Sequence, residues 1–577
     1  MGFPDLLVMK GLFKGPNVQV THTNATEARS ECSIAVDPAR PNRLLGASKR
    51  FTNLQTYHFS LGPVFSDDGG ATWQDLPRLP IPQGQDVYTD PSCAFHTSGS
   101  AWVMGDPGFH IAENPALNLS LGCPDDDDIM TTQMLGFKTD ATHNPNGSNW
   151  SNPIPIVPVR CTGDDKGWLM CDNSTATNIS FGPTPGGVPK PHPASPYHGR
   201  LYAIWAAARP LRFARSSDNG KTWTGVGGSA AGSDVKSAPN VGESAYAPDI
   251  SIGRNGTIHV FWHTPAEGLN HQGAIHYIRS KDGGDSFEFE AQTGLSRKVV
   301  TDVYDITDAA NSGLLPKAGD WPTFPGAKFR VITVVCACCF GSQGVMIAWA
   351  DMRDGHSRIY YSVSHDDGDT WSPSAPLLAG LVGNSHQFHP QLACTGSGVL
   401  GCAMYSYRQD VIGGHTPGID VLLAGSFDSA ASWNWEAITD QPWDPALNAP
   451  LSHGDTRTTF IGEYFGLDAS AKEFHILWTD TRTGVQDLFY CGVGTEKKRD
   501  FYQAAIDPLA VLLGSTSKIY VDLTLPDPPP PDVWTRQIQE AVAGMTRTER
   551  AAALARVQAL SLGIQALQKE LEAQGGT

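Results

Sequence analysis

One octapeptide pattern recurs along the chain, and it limits the fold more than any other feature. It reads SDDGGATW at 66–73, SSDNGKTW at 216–223, SKDGGDSF at 280–287 and SHDDGDTW at 364–371. A decayed copy, SFDSAASW at 426–433, has Ala430 in place of the glycine, and a fragment, GSNW, stands at 147–150. In the pattern S-x-D-x-G-x-T-W the aspartate is suited to cap a tight hairpin by accepting backbone N–H bonds. The glycine supplies a positive φ, and the aromatic residue plugs the space between neighbouring strands. Such a repeat predicts an array of like units and says almost nothing about chemistry.

Each copy closes a set of strand-like segments. In the fifth unit these are 330–336, 345–349 and 358–364, in the sixth 391–394, 399–405 and 420–426, and in the fourth 249–252, 257–262 and 274–280. Three strands followed by the octapeptide turn and a fourth strand make a four-stranded propeller blade, A to D. The innermost strands fall near Cys32, Cys93, Trp168, Ile250, Val334, Leu392 and Phe465. The expected fold is therefore all-β, a β-propeller of seven blades, or of six if the second unit is an insertion. The last unit lacks its fourth strand, which the alternating run NVQVTHT at 17–23 can supply.

The expected organisation is an N-terminal arm at 1–15, the propeller at 16–495, a connecting segment with a Pro-rich linker at 496–531, and a helical tail at 532–577. The linker contains PDPPPPD, a stiff polyproline spacer. TRTE at 546–549 is a capping box opening a helix to about Ala573. Along it Val557, Leu560, Ile564, Leu567 and Leu571 repeat at 3-4-3-4 spacing, a short coiled-coil seam that predicts a homo-oligomer. Val557 and Ile564 lean toward a parallel dimer, with a trimer as the alternative; the competing reading packs this helix on its own propeller.

The formal charge of −18 argues against nucleic acid, whose phosphates need a basic surface. No run of about 18 apolar residues offers a membrane span, and 1–15 does not read as a signal peptide. An extracellular or virion-surface location then implies either a signal already removed from the sequence given or release by another route, such as lysis. Eleven cysteines are too sparse for a disulfide scaffold and show no zinc-ribbon spacing. Cys336 and Cys338 fall on one strand face and Cys339 on the other, while Cys394 and Cys402 flank a hairpin turn across which they can face each other; buried small hydrophobes are the first reading of these cysteines and disulfides the alternative.

Chemistry in such a ring belongs on the face opposite the octapeptide turns, where B–C and D–A loops emerge. Two B strands end in the same motif, Trp349-x-Asp351-x-Arg353 and Trp478-x-Asp480-x-Arg482. Aligning the others adds Arg50, Arg209 and Arg408. These arginines form either a ring of guanidinium forks for carboxylates or sulfates of an acidic glycan, or Asp–Arg scaffolding of the loops. Carboxylates join them on the D–A side: Asp86, Asp90, Asp164, Asp165, Asp249, and Glu463 beside Tyr464. They are candidates for acid, base or nucleophile in glycoside hydrolysis, or else caps of the next strand. Adjacent Glu463 and Tyr464 would point to opposite faces of a regular strand. The run Asp125, Asp126, Asp127, Asp128 suits calcium in its oxygen donors but lacks EF-hand spacing, and is otherwise a solvated loop. No other cofactor is implied.

The octapeptides, the W-x-D-x-R strand ends, SHQFHP at 385–390 and FIGEYF at 460–465 resemble the sialidase-like (BNR, Asp-box) propeller superfamily, in particular its uncharacterised bacterial and phage-associated branch. The resemblance spans about 17–493. It implies a sialidase-type scaffold, yet the F/Y-R-I-P segment of true sialidases is absent, and KRFTN at 49–53 supplies only Arg50 there. Unrelated functions share this scaffold. Two functions are therefore carried forward: a non-catalytic glycan-binding or structural propeller displayed as an oligomer, in a phage or surface appendage, and an exo-acting glycoside hydrolase of sialidase type with a rim Arg/Asp site.

Overall fold

A computed structural model describes residues 6–500 apart from 122–128, 141–143, 147, 159–163, 175–194, 208–210, 236–244, 265–272, 289–297, 380–384 and 409–417. The chain divides into two compact units, Gly11–Thr495 and the pair Met1–Lys10 with Glu496–Thr577. The helical tail and most of the connecting segment lie outside the described residues, as do Arg209 and Asp125 to Asp128.

Gly11–Thr495 is built of antiparallel sheets, five of them four-stranded and running A to D in chain order, and two, in blades 2 and 7, five-stranded. Blade 1 comprises Ala28–Val36, Leu44–Asn53, His58–Ser66 and Gln74–Asp75. The A strands of blades 2 to 7 are Val87–Phe95, Asp164–Cys171, Tyr246–Ile252, Val335–Phe340, Ser385–Cys394 and Gly466–Ala469. Each A strand touches the next, and Gly466–Ala469 returns to Ala28–Val36, so seven blades close one ring. The second unit is thus a full blade. Its sheet pairs Val87–Phe95, Ala101–His110, Leu135–Lys138 and Ile154–Pro155, with Ile129–Thr131 also on the second strand. In blade 7 the third strand, Asp487–Asp500, is flanked by Leu6–Lys14 and by Val18–Gln19. Val18 faces Tyr490 and Gln19 faces Phe489. Asp487 then holds Thr21 Oγ1 at 2.9 Å and Thr23 N at 2.7 Å.

The octapeptide makes the same turn in five blades. In blade 1, Asp68 Oδ1 accepts from Ser66 Oγ and Thr72 N, each at 2.9 Å, and Asp68 Oδ2 accepts from Thr72 Oγ1 at 2.6 Å. Gly70 N donates to Ser66 Oγ at 2.9 Å. Asp218, Asp282, Asp366 and Asp428 repeat these contacts. Ala430 takes the glycine's place with φ 72°. The turn glycine has a second duty. A Cβ on Gly70 would stand 2.1 Å from the Tyr490 ring, and on Gly220 2.1 Å from that of Trp102. The turn's aromatic residue packs on the same neighbour: Trp73 on Tyr490, Trp223 on Trp102, Phe287 on Phe213, Trp371 on Tyr277. Each turn therefore locks its blade to the preceding one.

A strands are also stapled in sequence. Ser33 Oγ accepts from Cys93 N, Ser92 Oγ from Leu169 N, Ser251 Oγ from Cys339 N, Asp249 Oδ2 from Ala337 N and Asp468 Oδ2 from Val36 N, at 2.7–3.1 Å. Their C-terminal halves line a channel of about 390 Å³ that opens on the octapeptide-turn side. Its wall includes Cys93, Cys171, Cys336, Cys338, Cys339 and Cys394. The expected Cys394–Cys402 opposition does not occur. The turn closes through Thr395 N to Val399 O, which sets Cys394 opposite Leu400 and Cys402 opposite Leu392.

Candidate functional site

Five A strands carry a β-bulge near their N-terminal end, toward the face opposite the octapeptide turns. The bulged residues, Glu31, Asp90, Lys166, Ala247 and His389, all have φ between 43° and 52°. A left-handed residue at a bulge re-aims its side chain out of the pleat. In blade 7 Gly462, at φ 95°, does the same for Glu463, which precedes the regular strand. Strand alternation consequently does not separate Glu463 from Tyr464. Both meet Lys166, whose Nζ lies 2.6 Å from Glu463 Oε2 and 5.7 Å from the Tyr464 ring centre.

The result is a buried ionic cluster on the ring axis. Lys166 Nζ also reaches Glu31 Oε1 at 3.2 Å and Asp90 Oδ1 at 3.7 Å. Lys49 Nζ holds Glu31 Oε2 at 2.8 Å, and Arg330 Nε holds Glu463 Oε1 at 2.9 Å. Hairpins from the connections into blades 5 and 7 cover the cluster. Arg330 lies over the rings of Trp321 and Phe460 and donates to Ser452 Oγ and to His453 Nε2. Lys49 lies over Phe59 and Phe460. Glu31 and Glu463 are at most 1% exposed.

Asp90, Asp106 and Asp165 bring carboxylate oxygens within 4.8 Å of one another beside Lys166. The carboxyls here (Glu31, Asp90, Asp106, Asp165, Glu463, with Asp164 beside Asp106) outnumber the cations Lys49, Lys166 and Arg330. Burial pushes Asp106 well above the ordinary carboxyl range, and Asp90, Asp164 and Asp165 add to it. Burial does the same to Asp165, reinforced by Asp90. Burial alone would raise Asp90 too, but Lys166 and Lys49 hold it far below. Glu463 is likewise held low against burial by Arg330 and Lys166. Burial takes His389 down to about 3, so it is neutral.

The sequence candidates are distributed between this cluster and the rim. Asp90, Glu463 and Tyr464 belong to the cluster; Asp86 lies apart, holding His110 Nδ1 at 3.0 Å. On the rim, Asp351 accepts from Trp349 Nε1 (3.0 Å), Arg353 N and Nε (2.9 Å each) and Arg353 Nη2 (2.6 Å). Asp480 accepts from Trp478 and Arg482 in the same way at 2.7–3.0 Å. Arg50 pairs with Glu27 at 2.9 Å, and Arg408, the most exposed at 56%, with Asp420 at 2.7 Å. Sequence reading missed Glu31, Lys49, Asp106, Lys166, Arg330 and His389. One trace was present: the bulged residue is followed by proline at Asp90, Ala247 and His389.

Seven closed blades, five of them bearing the Ser–Asp turn, decide the architecture. It is a seven-bladed β-propeller. No family model matches the chain, and no curated protein matches it. Among solved structures it is similar to the phage phi92 endosialidase, at 10% identity over 85% of this chain and 70% of that one, with a TM-score of 0.42. It is also similar to a protein of unknown function from Dyadobacter fermentans, at 11% over 85% and 100%, TM-score 0.40. A third is the Hadza microbial sialidase Hz136, at 15% over 72% and 66%, TM-score 0.37. Among the described residues no helix is long and apolar enough to cross a membrane.

Proposed function

We propose that this propeller is a non-catalytic glycan-binding module, displayed in several copies by its helical tail on a phage or other surface appendage outside the cell. The observation that carries the reading is the state of the axial charges. Glu31 and Glu463, two buried carboxylates of the cluster, are each bridged by two cations and roofed by hairpins. A nucleophile or base must meet its substrate, and these groups meet one another. Breaking such a buried pair costs roughly 3–5 kcal/mol, which suits a plug that shapes the fold. Recognition then falls to the rim, where the Arg408 and Arg353 side chains are 56% and 34% exposed, Arg408 paired with Asp420 and Arg353 held by Asp351, Ser374 and the Asp302 carbonyl. An acidic surface polysaccharide is the ligand class that guanidinium forks favour. Linked copies would raise avidity over a weak single site.

One observation favours the alternative, an exo-acting glycoside hydrolase. Asp90 and Asp165 share a hydrogen bond while their proton affinities are driven apart, the pattern of an acid and a base made from two carboxyls. A single assay separates the readings: acidic polysaccharides and a fluorogenic sialoside are offered to the purified full chain. The expected result is binding, weakened at least tenfold by Arg408→Ala with Arg353→Ala, and no turnover. Turnover abolished by Asp90→Asn would install the hydrolase instead.

A further inference from the structure

The three aspartates beside Lys166 come from three strands at the junction of blades 2 and 3. Asp90 is the bulged residue of Val87–Phe95, where the pairing skips from Thr89, opposite Asp106, to Ser92, opposite Met104. Asp106 stands on Ala101–His110, the B strand of the same blade, and Asp165 on Asp164–Cys171, the A strand of the next. One carboxyl oxygen of each lies within 4.8 Å of the others.

Two of the three are held in place and the third is not. Lys166 N donates to Asp165 Oδ1 at 3.0 Å and to Asp90 Oδ2 at 3.3 Å, and Thr89 Oγ1 donates to Asp90 Oδ1 at 3.0 Å. Asp106 is 0% exposed, and neither of its oxygens has a hydrogen-bond partner among the described residues. A carboxyl buried with nothing donating to it is costly, and it calls for a proton, a water or an ion. A proton shared by Asp90 and Asp165 accounts for their mutual hydrogen bond and does nothing for Asp106. A proton on Asp106 itself removes the charge and leaves the carbonyl oxygen without a donor. Lys166 does not fill the role either. Its Nζ is directed at Glu463, 2.6 Å away, and Glu31, 3.2 Å away, and stays 3.7 Å from Asp90 Oδ1, outside hydrogen-bond range.

We propose that Asp90, Asp106 and Asp165 bind one calcium ion, which ties both inner strands of blade 2 to blade 3. The donors are all oxygen, which suits a hard cation; zinc and the softer ions draw on imidazole or thiolate. Oxygens that share one calcium at about 2.4 Å stand no more than about 5 Å apart, which fits the spread of these three. Magnesium gives up its waters reluctantly, so a site buried among strands suits it less. The ion is a structural part of the axial cluster, and the glycan-binding reading stands or falls independently of it.

The purified full chain is dialysed against metal-free buffer and its metal content measured. Its melting is then followed in chelator and in millimolar calcium, magnesium or sodium. The expected result is one calcium per chain and a Tm that rises with calcium and not with the other two. Asp106→Asn keeps the side chain's shape and removes a ligand charge, and Asp165→Asn does the same from the neighbouring blade. Each should bind calcium at least about tenfold more weakly and lose the calcium-dependent rise in Tm. Asp126→Asn with Asp127→Asn, in the acidic run at 125–128, should leave both unchanged. If Asp106→Asn fails to fold, Asp165→Asn and the metal content of the parent still decide. A parent chain that holds no calcium and melts alike with and without it would overturn the assignment, as would binding lost only with the 126 and 127 pair. A Tm raised by magnesium alone would overturn the choice of ion.

Discussion

At the scale of single residues, the octapeptide was legible because its function is local: a turn is made by the residues that spell it. What the sequence did not carry was the glycine's outward duty. Gly220 is needed at φ 74°, and its bare face also seats the Trp102 ring of another blade. Gly355 offers the control, with φ 77° and nothing within 4 Å of an added Cβ. Gly355→Ala should cost only backbone strain, about 1 kcal/mol. Gly220→Ala should cost at least about 2 kcal/mol more, since the ring or the turn must move. Urea unfolding of the two variants reads the difference, and equal losses would mean that the blade contact is slack. The axial charges were illegible for the opposite reason. Lys166 and Glu31 are 135 residues apart and come together only when the ring closes; no spacing rule reaches so far.

At the scale of strands, the blades were readable from alternation and the repeated turn, but the bulges were not. A bulge adds one residue to a strand and moves one side chain to the axis, which in sequence is indistinguishable from ordinary strand text. The same strands carry carboxyl staples with a pH signature. Burial lifts Asp249 to about 7 and Asp468 to about 6, even though each accepts backbone N–H groups. An unfolded aspartate titrates near about 4. Between that value and the folded ones the native state holds protons that the unfolded state has released. These two groups therefore favour folding most at low pH, and their contribution declines as pH rises from about 4 toward 7. Asp249→Asn keeps an acceptor for Ala337 N and removes one titration. Its stability relative to the parent should climb by up to roughly 1.4 kcal/mol per pH unit over that window. Parallel stability curves would show that Asp249 is ionised in the fold.

At the scale of the whole molecule, the seven-blade count and the closing N-terminal strand were both readable, because the last unit lacked a strand that the first residues supplied. Removing residues 1–23 should leave Asp487 without Thr21 and Thr23 and expose the edge of Asp487–Asp500. A loss on the order of a few kcal/mol is expected from the missing bonds and burial. Calorimetry should show a lower, broader transition, and light scattering should show association through the bared edge. An unchanged melt would mean that the closing strand is dispensable. The axial plug has a consequence for traffic. Among the described residues Glu31, Lys49, Lys166, Arg330 and Glu463 lie buried across the axis beneath one face, so the cavity at the other face ends on charge. A solute that passes the A–B turns meets thiols and main-chain groups and leaves by the way it came. A coat assembled with these rings side by side would therefore be watertight along each ring's own axis, and any leak would run between neighbours.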